Sequence, residues 1–197
     1  MQDTLVADRA AAHGKPTADG RRARGESSRA RILDAATRVI TRDGIGALTH
    51  RASADEAGVP LARVAYHFPR IDDLLEAAAR EYLAAFDLRL AALAAEAVAG
   101  RRSVVEACTD FVVELITTGS SAFLAMVEVR VALARRGRTV APTGTVEIVG
   151  AFGLDPSRAA SIVASLFGFA VLAATEATPV PRSVVRSHVA TVLGGAR

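Results

Sequence analysis

Residues 49–75 read THRASADEAGVPLARVAYHFPRIDDLL, and their punctuation leaves the backbone few choices. Thr49 is a good N-cap, because its hydroxyl can accept from an orphan backbone N–H, so a helix is expected over residues 50–57. Gly58 stands where that helix must stop and the chain reverses through a left-handed conformation, with Val59 packing the turn. Pro60 suits the first turn of the next helix, where its missing N–H costs nothing. That helix is expected over residues 61–68, and Pro69 ends it by disfavouring helical geometry in the residue before. A third, much longer helix begins just beyond. Two short helices around a glycine turn make a helix-turn-helix, the shape whose second helix enters a DNA major groove.

The charge distribution points the same way. The chain has 197 residues and a formal net charge of +3, but residues 21–70 hold ten arginines against five carboxylates. The rest is slightly acidic, so a basic head on a near-neutral body suits a polyanion partner at one end. A solvated basic face is the competing reading. Lys15 is the one lysine, and arginine favours bidentate contacts to phosphate and guanine. The hydrophobic content, 51%, suffices for a substantial core in one or two domains.

The single cysteine, Cys108, cannot form an internal disulfide, which suits an intracellular, cytoplasmic chain, and its apolar helical surroundings read as core, with a redox sensor as the competing reading. Residues 1–20 hold no apolar leader. The longest uncharged run, residues 159–175, is interrupted by Ser161, Ser165 and Gly168, and reads as a buried helix, with no membrane partner.

Along the chain, Ser27 or Ser28 can cap a first helix over residues 28–42, with Ile32, Leu33, Ala36, Val39 and Ile40 on one stripe and Gly44 at its end. Residues 1–25 are expected to be a flexible basic arm; Arg21, Arg22 and Arg24 either track phosphates or belong to a plain tail. The head, residues 26–71, is expected to close around Ile32, Ala36, Val39, Ile45, Leu48, Ala57, Val59, Val64 and Phe68. A body of residues 72–197 follows, with helices over 72–99, 103–118, 121–136, 145–152, 156–177 and 182–193. Asp72 and Asp73 complement the dipole of the long connecting helix, whose tilt would move the head. Strand alternation, repeats and heptads are all missing, so the expected fold is all-α with about nine helices.

No metal-ligand cluster, glycine-rich phosphate loop or nucleophile motif occurs, and His13, His50, His67 and His188 are scattered. An enzyme, a metal site and a cofactor are therefore not expected.

Within this frame, Arg31-Ile32-Leu33-Asp34-Ala35-Ala36, Gly44, Leu48-Thr49, Ala57-Gly58-Val59, Tyr66-His67-Phe68-Pro69 and Asp73-Leu74-Leu75 follow in order. In sequence and spacing, these motifs resemble the DNA-binding domain of the tetracycline-repressor (TetR) family, over about 45 residues. The resemblance implies a regulator that binds double-stranded operator DNA as a homodimer and answers to a small-molecule effector. Arg63 is the candidate base reader on the second helix, which Pro60 and Leu61 open; its fork can hold guanine O6 and N7. By resemblance Thr49, Tyr66 and His67 contact phosphates, and Arg51 can clamp the backbone. The chain departs from the family at Ala65, where a tyrosine is common, and at Ile71, where a lysine is usual and Arg70 can substitute. Ser53 stands where a large aliphatic residue is normal.

In the body, Phe86, Phe111, Leu115, Phe123, Met126 and Val127 are candidates for a ligand pocket, with packed core as the competing reading. Glu128 and Arg130 could pair internally, anchor a ligand or face solvent. The family dimerises through its last two helices, which places Ala160, Val163, Ala164, Phe167, Val171, Ala174, Val185 and His188 at a dimer interface. The chain is read as a ligand-released repressor on a palindromic site. The alternative is a DNA-binding protein controlled by a protein partner, without an effector.

Overall fold

A computed structural model describes residues 18–140 and 144–194, with side chains from Glu26 onward. Among these residues nine α-helices and one 3-10 turn account for the regular structure: α1 (Ala18–Asp43), the turn Ile45–Ala47, α2 (His50–Ala57), α3 (Leu61–His67) and α4 (Ile71–Val98). The body continues with α5 (Val104–Ile116), α6 (Ser120–Arg135), α7 (Thr145–Gly150), α8 (Pro156–Thr175) and α9 (Arg182–Gly194). The all-α expectation holds.

Local chemistry sets the helix ends. Thr49 Oγ1 accepts from Ala52 N at 3.0 Å, and Gly58 adopts φ 62°, ψ 42°, the left-handed cap that the α2–α3 turn requires. Pro60 is the N-cap of α3, one position earlier than a first-turn proline, with extended backbone. Ser103 caps α5 by accepting from Glu106 N, and Asp155 caps α8 by accepting from Ser157 N and Arg158 N. α1 is already helical at Ala18, so the expected arm of residues 1–25 overlaps the helix. The three arginines at 21, 22 and 24 fall within α1, and residues 1–17 lie outside the described residues. The helical reach is understandable, since residues 18–24 lack proline and a terminating cap before Ser27.

Two apolar clusters organise the molecule. The first joins Ile32, Ala36, Val39, Leu48, Ala57, Val64 and Phe68 of the head to Leu74, Leu75 and Leu83 of α4 and to Met126, Val129 and Leu133 of α6. Ile45 and Val59 pack against it, partly buried. The expected boundary between residues 71 and 72 falls within the first turn of α4, and packing runs across it. Ser53, in the slot where a large aliphatic residue is normal, is fully buried and donates from Oγ to Thr49 O at 2.9 Å. The hydroxyl is satisfied within its own helix, which removes the penalty of burying it.

The second cluster joins Leu90 and Leu93 of α4, Cys108, Phe111 and Val112 of α5, Phe123 of α6, Ile162 and Ala170 of α8, and Val185, Val189 and Leu193 of α9. Cys108 is a core residue, as expected. α8 is long and apolar enough to cross a membrane by length and composition, with mean hydropathy 1.6. Its Ala159, Ile162 and Ala170 nevertheless pack inside this core.

Candidate nucleic-acid face and body cavity

α2 and α3 are held together by their termini. The His50 Nε2–H donates to the Phe68 carbonyl at 2.7 Å, joining the start of α2 to the end of α3. Arg31 donates to the Ala57 carbonyl at 2.7 Å, and Arg38 and Arg42 of α1 both bond Glu56 of α2. Those two guanidiniums, Arg38 first, hold the Glu56 carboxyl below the usual carboxylate range. With Val64 and Phe68 buried, the opposite face of α3 is left to solvent. Leu61, Arg63 and Tyr66 are exposed there, and Tyr66 is 80% exposed.

The other expected contact residues lie at the start of α2, on the α2–α3 turn and at the end of α3 or just past it. Thr49, Arg51, Pro60 and Arg70 are exposed, and His67 is half-buried against Tyr66, ring centroids 5.2 Å apart. Burial, with Arg63 and Arg29 adding like charge, pushes the His67 pKa down, so the ring is biased towards neutral. Its Nε2 is buried and has no hydrogen-bond partner among the described residues. Arg29, which the sequence reading did not single out, lies over the Phe68 ring at 5.2 Å and so braces the end of α3.

The body encloses a cavity of about 350 Å³. All six expected pocket residues line it: Phe86 of α4, Phe111 and Leu115 of α5, and Phe123, Met126 and Val127 of α6. Phe86 and Phe111 meet edge-to-face at 4.8 Å, as do Phe123 and Phe167 at 5.4 Å. Tyr82, Arg130, Thr145 and Val149 also line it. Tyr82 lies one turn before Phe86 on α4, a spacing from which it could have been found; Thr145, on a six-residue helix, gave no periodic signal. Burial pushes the Tyr82 phenol up to about 12 and the Cys108 thiol, also in the lining, up to about 11.

Glu128 and Arg130 form no ion pair with each other among the described residues. Glu128 is exposed, and Arg130 sits at the rim of the cavity.

The residues expected between two copies divide. Ala160, Val163, Ala164 and Phe167 line the mouth of the cavity, with Ala160, Ala164 and Phe167 also exposed. Val171 and Ala174 are half-buried on α8. Val185 is a correction: it is fully buried inside its own chain, because α9 turns that side onto α5. His188 is half-buried, stacked on Phe169 at 4.3 Å, with Ser165 Oγ 3.5 Å from its Nε2.

Comparison with known proteins places this arrangement. The family of bacterial regulatory proteins of the tetR type matches residues 32–78, the whole helix-turn-helix and the base of α4. Among solved structures, the multidrug binding protein EbrR complexed with ethidium is 31% identical, with TM-score 0.68, over 84% of this chain and 98% of that one. EbrR complexed with malachite green is 30% identical, with TM-score 0.66, over 83% and 96%. A TetR-family member from Streptomyces coelicolor A3 is 29% identical, with TM-score 0.72, over 84% and 97%. No curated protein matches significantly by sequence. The fold and its helix-turn-helix define a DNA-binding transcriptional regulator. The chain belongs to the TetR family.

Proposed function

We propose that the chain is a cytoplasmic repressor that holds a palindromic operator as a homodimer and releases it when a small molecule enters the body cavity. The exposed face of α3 carries this reading: Leu61, Arg63 and Tyr66 stand clear of the core, and Thr49, Arg51 and Arg70 are exposed as well. An aliphatic side chain, a guanidinium fork and a phenol on one short helix suit base edges, while the hydroxyl and the other two arginines suit phosphates. A two-fold pair of heads would present two such helices about 34–36 Å apart.

The effector half of the reading has two supports. The cavity is mostly apolar with aromatic walls, and EbrR, a relative of similar length, has been solved with ethidium, malachite green and proflavin. A route to the head is also present. Helix α6 lines the cavity with Phe123, Met126 and Val127, and its C-terminal end grips the base of α4. There Arg136 pairs with Asp72, and Arg138 with Asp73 at 2.9 Å and with Glu76. A ligand that favours one setting of α6 over another thereby biases the tilt of α4 and the spacing of the heads, by its differential affinity for the two settings.

The test is selection of bound duplexes from a random pool at fixed salt, for wild type, Arg63→Ala and Tyr66→Ala. Wild type should enrich a palindrome that the variants lose or relax at defined positions. Enrichment of nothing, with only steeply salt-dependent background binding, would overturn the specific-regulator reading.

A further inference from the structure

Among the described residues lining the body cavity, Arg130 is the one that carries a charge. It belongs to the α6 face formed by Phe123, Met126 and Val127, one turn beyond Val127, so its stem continues the apolar wall to the mouth. No carboxylate among the described residues lies within ion-pair distance of it, whereas Arg136 and Arg138, just past it, are both paired. No Asp or Glu is among the described residues that line the cavity. Asp87, one residue past the lining Phe86 on α4, is already engaged: one oxygen accepts from Gly144 N at 2.7 Å and the other from Thr145 Oγ1 at 2.7 Å. Glu128 is two residues from Arg130, about 200° around the helix, and faces solvent.

We propose that this cavity selects a monoanionic organic acid, its aromatic or branched apolar body inside and its carboxylate or sulfonate at the mouth against Arg130. The inference rests on the ligand-responsive reading above and names the class of effector. A cation seated here would meet an uncompensated guanidinium and no carboxylate. A neutral molecule would gain only apolar contact. An anion can take two parallel N–H groups of the guanidinium fork at the exposed rim while its apolar body fills the cavity. The volume, about 350 Å³, suits a fused bicyclic body with a short polar end.

The experiment is calorimetric titration of the full chain with three probes of matched shape: 2-naphthoate, neutral 2-naphthalenemethanol and cationic 1-methylquinolinium. Wild type should bind 2-naphthoate about tenfold more tightly than either other probe, the step expected of one charge-assisted hydrogen bond at a rim. Arg130→Gln should erase that preference while Arg130→Lys keeps most of it, and Val127→Phe, which fills the lining, should weaken all three probes. Arg130 is exposed, so the thermal midpoint of Arg130→Gln should match wild type and certify folding. Equal or tighter binding of 1-methylquinolinium, or unchanged 2-naphthoate affinity in Arg130→Gln, overturns the anion assignment and leaves a ligand cavity standing. Probe binding that Val127→Phe does not touch places the probes elsewhere and also overturns it. If no probe binds wild type, the assignment falls together with the ligand-responsive reading.

Discussion

At the scale of single residues, two titratable groups give sharp expectations. Cys108 is buried and its thiol is raised to about 11, so its thiolate population near neutral pH is small. Iodoacetamide should label it roughly two orders of magnitude more slowly than a free cysteine at pH 8, and mass spectrometry over time reads this directly. His67 has a lowered pKa in the folded chain, so the unfolded chain takes up the proton first as pH falls. Its contribution to stability is therefore present above the ordinary value of 6.5 and declines below it, until the folded ring protonates as well. Urea midpoints at pH 7.5, 6.5 and 5.5 should fall along that series for wild type and fall less for His67→Gln. In the head's core, Leu74 is fully buried between head and body, and Leu74→Ala should cost about 3 kcal/mol by chemical unfolding. Residue-level reading from sequence succeeded where one residue's chemistry decides the outcome, as at Thr49, Gly58 and Cys108. It failed at Val185, because periodicity says that a face is apolar but not whether its own chain or a second copy covers it.

At the scale of elements, the ion pairs between the end of α6 and the base of α4 are the feature that local sequence could not reveal. Arg138 and Glu76 lie 62 positions apart, and nothing in the composition of either segment names the other. The pairs are partly exposed, so Arg138→Ala should change global stability by less than about 1 kcal/mol. It should instead loosen the first turn of α4. Hydrogen–deuterium exchange of the amides around Asp73–Glu76 should rise in the variant, while exchange in the middle of α5 stays as in wild type. The helices themselves were legible to within a residue or two from Gly44 onward, since caps, glycines and prolines act over a few residues. α1 was underestimated at its start because an alanine- and arginine-rich segment without a stop signal can be either tail or helix until tertiary contact decides. The pocket helices were legible as apolar stripes. Which stripe residues would leave space between them depends on how five helices meet, and that is a property of packing.

At the scale of the whole molecule, α8 presents Leu172 to solvent at 68% exposure, near the exposed Phe167 and opposite α9 with its exposed Val184. In the proposed homodimer this stripe is where copies meet. Leu172→Asp should shift sedimentation from dimer to monomer and weaken operator binding by more than tenfold, because a single head makes half of the phosphate and base contacts. The same helix also frames the cavity mouth, where Ala160, Ala164 and Phe167 are at once rim and surface. A molecule inside therefore has its exit beside a surface that self-association would cover. Escape should be slower from the assembled protein than from a lone chain, and the apparent effector affinity should depend on how much of the protein is present. A cell that makes little of this regulator would then perceive a different effector threshold from one that makes a great deal.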